Sequence, residues 1–308
     1  MVNDDHILRS FDAATGRLRW IVMASSDAPP VFKDGVLYLN GAYESTGRLL
    51  VAIDATDGHV LWSRSYPYPW EVPSISGPAV GDGMIFVSSI CSPNTAWQVG
   101  TGDPIWATPG SCFSQGGSRT PVLGAGLVWM RSIAGSLPQA RDPRTGVVAT
   151  TFTADAAPAF DATQGYFLEL GALEARRPRT QEVLWRFTGD GQLTAAPIVV
   201  NGYVYTASAS GQVWALDAAT GAVAWSANAG APVLRPEEGD TPLFVALAAG
   251  QGIVAVPASN RLVAYANAPP VQSVITPKSS GASRPPFSPS LSEETSGFRV
   301  TPPTSRTW

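Results

Sequence analysis

Two cysteines, two histidines and two lysines, Lys33 and Lys278, are all that 308 residues offer of those types. So few thiol and imidazole ligands exclude a zinc ribbon, a zinc finger or an iron-sulfur cluster. Neither lysine follows glycine, which removes a Gly-Lys-Ser/Thr phosphate loop. Charged residues are only 14% of the chain and the net charge is −4, so neither nucleic acid nor an anionic membrane is an expected partner. The most apolar stretch, Leu243 to Ala258, is broken by Gly250, Gln251, Gly252 and Pro257, short of the roughly 20 apolar residues of a membrane-crossing helix. The opening Met1-Val2-Asn3-Asp4-Asp5-His6 has neither the basic nor the apolar region of a secretory signal. There is no Gly-x-Ser-x-Gly elbow, and His6 and His59 sit near an end and beside a turn, which leaves nucleophilic hydrolysis without a base.

Glycine, proline and tryptophan are plentiful instead, at 30, 27 and 10 residues, and they recur at intervals. Phe11-Asp12-Ala13-Ala14-Thr15-Gly16-Arg17-Leu18-Arg19-Trp20 returns as Ile53 to Trp62, through Asp54 and Gly58, and as Leu216 to Trp225, through Asp217 and Gly221. Degraded copies fill the gaps. Gln98 to Trp106 keeps Gly102; Asp142 to Thr150 keeps Gly146 but loses the Trp; Arg177 to Trp185 keeps the Trp but has Gln181 for Gly. The last slots fall at 20, 62, 106, 150, 185 and 225, a period near 40. Five tryptophans, Trp20, Trp62, Trp106, Trp185 and Trp225, share this slot, where a large ring is expected to fill the wedge between neighbouring sheets. An EF-hand calcium loop at Asp54 to Gly58 fails, because its sixth position is His59 and its twelfth Ser65. The Asp-x-x-Thr-Gly element reads as a turn, with Gly16, Gly58, Gly102, Gly146 and Gly221 supplying the left-handed residue.

A second element precedes each copy: an apolar run after Pro, a Gly turn, then an alternating strand, as in Pro30 to Tyr38, Pro78 to Phe86, Pro121 to Trp129, Pro158 to Leu168 and Pro197 to Tyr205. Asp34-Gly35, Asp82-Gly83 and Asn201-Gly202 suit tight hairpins. Two hairpins per period of about 40 residues predict an all-β chain, a β-propeller of four-stranded antiparallel blades. Five complete sets run 28 to 62, 76 to 106, 120 to 152, 157 to 185 and 195 to 225, with two strands before them and three after, twenty-five in all. Four does not divide twenty-five. The expectation is six to seven blades here, the remainder of a ring of seven or eight whose upstream part held the signal peptide. Residues 1–268 form the propeller and 269–308, rich in Pro and Ser, a disordered tail.

The Trp-ended Ala-Leu-Asp-Ala-Ala-Thr-Gly repeat, closest at Val213 to Trp225, resembles the PQQ-like (quinoprotein-type) propeller repeat over about residues 5 to 266. Cys112 to Pro121 and Leu247 to Pro257 also resemble segments of bacterial secreted PQQ-like repeat proteins of unassigned function. The resemblance is specific for fold and not for activity. It implies, as one alternative, a PQQ-dependent dehydrogenase with calcium. Such enzymes set a vicinal Cys-Cys pair against the quinone, and here Cys91 and Cys112 lie 21 positions apart. No PQQ-contacting or metal-binding residue is transferred, and no cofactor is expected.

With the four strands of a blade lettered A to D from the axis outward, the A-to-B and C-to-D turns share one end of a propeller and the B-to-C and D-to-A connections the other. The second class is longer and more varied here, including Asn40 to Gly47, Ser63 to Ile75, Cys91 to Thr95, Ala107 to Arg119, Arg131 to Pro138 and Ser226 to Thr241. Variable loops on a rigid scaffold carry binding, so this end is the candidate face for a protein or small ligand. Cys91 and Cys112 both emerge there, and a disulfide between them is expected, which implies an oxidising compartment. Tyr66, Tyr68, Trp70, Glu71 and Arg119 are the candidate contacts; the aromatics either meet a ligand or pack back onto the blade. The function read from these residues is a non-catalytic, extracytoplasmic binding or scaffold module, with a quinone enzyme and an outer-membrane-assembly type of propeller as alternatives.

Overall fold

The computed structural model describes residues 7–24, 28–44, 47–66, 76–88, 94–108, 119–131, 137–236, 246–266 and 273–275. All of them fall in the compact unit Met1–Thr276; Pro277–Trp308, the second unit, lies outside the described residues. The chain begins with a half-blade, β1 (Ile7–Phe11) and β2 (Leu18–Met23). Blade I is β3 (Val31–Lys33), β4 (Val36–Glu44), β5 (Gly47–Asp54) and β6 (Val60–Ser65); blade II is β7 (Ala79–Gly81), β8 (Met84–Val87), β9 (Thr95–Gln98) and β10 (Pro104–Ala107). Blade III is β11 (Val122–Gly124), β12 (Leu127–Met130), β13 (Gln139–Arg141) and β14 (Val148–Thr151); blade IV is β15 (Ala159–Phe160), β16 (Gly165–Glu169), β17 (Ala172–Arg176) and β18 (Val183–Phe187). Blade V is β19 (Ile198–Val200), β20 (Tyr203–Ala207), β21 (Gln212–Asp217) and β22 (Val223–Asn228); blade VI is β23 (Ala248–Gly250), β24 (Ile253–Ala258), β25 (Arg261–Ala266) and β26 (Ser273–Ile275). Every pairing is antiparallel in chain order, and the first strands of blades I to VI lie side by side in succession, as sheets arranged about one axis require.

Two expectations are corrected. The strand total among the described residues is 26, because β26 pairs with β25 and completes blade VI from within the segment assigned to the tail. Asn40 to Gly47 is not an open loop: β4 runs on to Glu44, paired with β5 across a register shift between Asn40 and Ala42, where Gly41 takes φ 81°. One bulged glycine lets the strand bend and continue.

The repeated turns explain the recurring residues. At one end, the A-to-B turns place Asp34, Asp82, Ala125, Asn201 and Gln251 at φ of 49 to 53°, each followed by a positive-φ glycine. That pair of left-handed residues matches the twist of a tight hairpin. At the same end, the Asp12 carboxylate accepts bonds from Thr15 N–H (2.9 Å) and Thr15 Oγ1 (2.7 Å), and Asp142 and Asp217 hold Thr145 and Thr220 in the same way. These bonds favour the ionised form and lower the pKa of all three aspartates.

The tryptophan slot works across blades. Trp20, Trp62, Trp106 and Trp185 each donate an indole N–H, at 2.8 to 3.1 Å, to a carbonyl of the next blade's C-to-D turn, at Ala55, Val99, Pro143 and Ala218. The ring lies flat on that turn's glycine. A Cβ added at Gly58, Gly102, Gly146 or Gly221 would come within 2.7 to 2.8 Å of the indole of Trp20, Trp62, Trp106 or Trp185 respectively. Positive φ and the indole together explain why only glycine fits. Trp225 packs instead on Tyr265, ring centroids 4.9 Å apart. Deeper in, consecutive sheets share apolar clusters, such as Tyr38, Leu50, Ile85 and Trp97 between blades I and II.

Candidate functional site

The long-loop end has two described regions, on blades I to III and on blades IV to VI. In the first, a chain of buried polar groups underlies the loops. Tyr66 OH donates to Asn40 Oδ1 (2.5 Å), Asn40 Nδ2 to the Ser76 carbonyl (2.8 Å) and Ser76 Oγ to the Ser88 carbonyl (3.0 Å). Ser88 Oγ then donates to Asn94 Oδ1 (2.9 Å), and Asn94 exchanges bonds with Thr108. Asn40, Ser76 and Ser88 are all nearly inaccessible to solvent. Polar groups so deep require partners, and here the partners are the residues where loops leave the blades. The network therefore fixes the roots of the connections 67–75, 89–93 and 109–118.

Tyr66 belongs to this foundation. Its ring meets Trp97 edge-on, centroids 5.8 Å apart, and its hydroxyl is engaged by Asn40. Arg119 stands half-buried immediately before blade III. Tyr68, Trp70, Glu71, Cys91 and Cys112 lie outside the described residues. The spacing of the aromatics marked the loop; the polar residues at its root, Asn40, Ser76, Ser88 and Asn94, carried no motif, since single Asn and Ser residues in a strand or at strand ends are unremarkable until three connections converge on them.

The second region centres on the three connections that leave blades III, IV and V. The segment 229–236, leaving blade V, is tied down on three sides: Val233 N–H donates to the Ser208 carbonyl (3.2 Å), Thr194 Oγ1 to the Val233 carbonyl (2.5 Å) and Ser259 Oγ to the Pro232 carbonyl (3.2 Å). Asp190 Oδ2 accepts from Ser208 Oγ (2.7 Å) and Ser210 Oγ (2.5 Å). Burial pushes the Asp190 carboxyl upward, but the two hydroxyls outweigh it and hold the pKa below the ordinary value. Asp155 Oδ2 accepts the Leu170 N–H at 2.8 Å and lies 3.5 Å from Arg235 Nη2. Below it, Arg176 bonds Glu169 and, at 2.7 Å, Glu174, which also meets Arg186 at 3.2 Å. These bonds fix the geometry of the connections.

One group of three metal-type ligands occurs among the described residues, Asp54, Asp57 and His59, in the outer turn of blade I at the opposite, short-turn end. All three are exposed or partly so, and His59 Nδ1 is 2.8 Å from Asp57 Oδ1. Among the described residues no helix is long and apolar enough to cross a membrane.

Topology defines the class: a propeller of four-stranded antiparallel blades. The family model for outer membrane protein assembly factor BamB matches residues 4–165 and 168–268, and the chain belongs to that family. The crystal structure of BamB from Moraxella catarrhalis superposes with a TM-score of 0.56 at 19% identity, over 85% of this chain and 76% of that one. Quinohemoprotein alcohol dehydrogenases from Pseudomonas putida and Comamonas testosteroni each give 0.52 at 17% identity, over 78% and 77% of this chain. The chain spans about half of each dehydrogenase, 52%. At these identities the likeness is one of fold. No curated protein matches in sequence.

Proposed function

We propose that this protein is a non-catalytic, extracytoplasmic binding or scaffold propeller whose long-loop end takes a protein partner. The observation that carries the reading is the contrast between its ends. The short-turn end repeats one bonding pattern, whereas the long-loop end puts buried polar networks under connections that differ from blade to blade. Membership of the assembly-factor family supports a protein partner. Tyr68, Trp70, Glu71 and Arg119 are the contacts proposed on the blade I to III side, and a Cys91–Cys112 disulfide is proposed to join two of its loops.

The quinone alternative does not fit these residues. Cys91 and Cys112 are not vicinal. The Asp54, Asp57 and His59 group sits on an outer turn, at the end of the blade opposite the long loops and away from the axis. Titration with PQQ and calcium, followed by absorbance and a dye-linked dehydrogenase assay, tests this directly. Unchanged spectra and no turnover are expected, and quinone-dependent turnover would overturn the proposal. Thiol titration of protein prepared without reductant tests the disulfide: no free thiol is expected, and two would refute it.

A further inference from the structure

We propose that Leu170, Leu234 and Arg235 form a docking patch for a protein segment that sets a carboxylate beside apolar side chains. This rests on the reading that the long-loop end binds a protein. Leu170 occupies the first position of the two-residue turn between β16 and β17, at φ 48°, with Gly171 at 73°. Elsewhere the chain fills such non-glycine positions with Asp34, Asp82, Asn201, Ala125, Gln251 and Ser259. A leucine gains no local hydrogen bond from its side chain to offset the left-handed backbone. It is also 83% exposed, so the fold gains no burial from it either. A left-handed backbone and a solvated apolar side chain at one tip point outward to a partner.

The tip is rigid. Gly171 lies so near the Gly191 carbonyl that an added Cβ would approach it to 2.7 Å, and the Leu170 N–H is held by Asp155. Leu234 is 54% exposed but follows Val233, which is buried and bonded at both N–H and carbonyl. Arg235 reaches back to the same Asp155 oxygen that accepts the Leu170 N–H, which brings the guanidinium to the base of the Leu170 turn, with Leu234 beside it in the chain. That 3.5 Å contact is the guanidinium's only ion pair or hydrogen bond among the described residues, and half its side chain is in solvent. A guanidinium has five N–H donors in a planar fork that suits a carboxylate. Two preorganised leucines supply the apolar contact at little entropic cost.

The test uses the full chain labelled at leucine methyls, titrated with acetyl-Glu-Leu-Glu-Leu-Glu-Leu-amide and with the matching lysine-leucine peptide. The glutamate peptide is expected to shift the Leu170 and Leu234 methyl resonances and to bind about tenfold more tightly than the lysine peptide. Leu170→Asn, which suits the left-handed turn, is expected to raise Tm while weakening the glutamate peptide about tenfold. Arg235→Gln is expected to abolish the preference between peptides. Shifts confined to other leucines at this end would refute the patch and leave the partner-binding reading intact. No shift anywhere at this end would count against both, and equal binding of the lysine peptide would refute the acidic partner.

Discussion

Four interfaces between successive sheets carry the indole-on-glycine contact; between blades V and VI Trp225 packs on Tyr265 instead, and between blades III and IV both the tryptophan and the glycine are missing. There the Trp slot is Thr150, and the facing glycine slot is Gln181, at φ 60° with its Oε1 buried and unbonded. The two losses fall on opposite sides of the same gap. The compensation lies inward: Trp129, Phe152, Phe160 and Phe167 form one aromatic cluster, with centroids 4.7 to 5.9 Å apart. Trp129 and Phe167 are fully buried, and Arg176 lies over the Phe167 ring at 5.1 Å. The wedge between blades must be filled: indole on glycine fills it at four interfaces, Trp225 on Tyr265 at a fifth, and the inner aromatic cluster at the one between blades III and IV.

The comparison can be broken from either side. Trp129→Ala removes the largest ring of the inner cluster and is expected to cost about 3–5 kcal/mol in denaturant unfolding, more than truncating any single rim residue. Gly102→Ala places a methyl against Trp62 in a left-handed backbone and is expected to cost roughly 1–3 kcal/mol. An unchanged midpoint for Gly102→Ala would mean that the rim contact bears no weight. Tyr66→Phe removes one bond from the loop-root network and is expected to cost about 1 kcal/mol, with faster hydrogen exchange at Asn40 and Ser76.

The smallest effect concerns pH. Asp142 titrates below the usual carboxylate range in the folded chain, because Thr145 N–H and Oγ1 favour its ionised form. Its contribution is therefore present above the unfolded pKa and is lost as pH falls through the lower, folded one. Asp142→Asn keeps an acceptor oxygen for Thr145 and is expected to flatten the acid limb of a Tm-against-pH profile slightly. An identical limb would show that the turn bond does not couple to folding.

The blade period was legible because Asp, Gly and Trp recur within one local element, and each does its work in that turn or on the next copy of it. What the period could not show is direction: that Trp62 serves Gly102 and not Gly58 depends on how sheets stack, not on spacing. Ser273-Val274-Ile275 is too short, between prolines at 270 and 277, to read as a strand without β25 beside it. Asn40 to Gly47 looked like a loop because Gly41 breaks the alternation that a bulge preserves. Of the candidate site, the sequence leaves Tyr66 open between a ligand contact and packing back onto the blade, and its bond to Asn40 and its contact with Trp97 set its side chain on the blade. Leu170 left a faint trace, a Leu-Gly pair where a hairpin tip favours Asn-Gly or Asp-Gly.

The most direct measurement is a double-mutant cycle across the gap between blades III and IV. Thr150→Trp alone sets an indole against the Gln181 side chain and is expected to destabilise. Gln181→Gly alone relieves the left-handed strain and the buried unbonded oxygen, and is expected to stabilise by about 0.5–1 kcal/mol. Together they recreate the contact seen at four other interfaces, so the double variant should exceed the sum of the two changes by about 1 kcal/mol or more, as groups in contact do. Additive effects, or a double variant less stable than Gln181→Gly, would contradict the account that the recurring tryptophan and glycine are two halves of one contact between neighbouring blades.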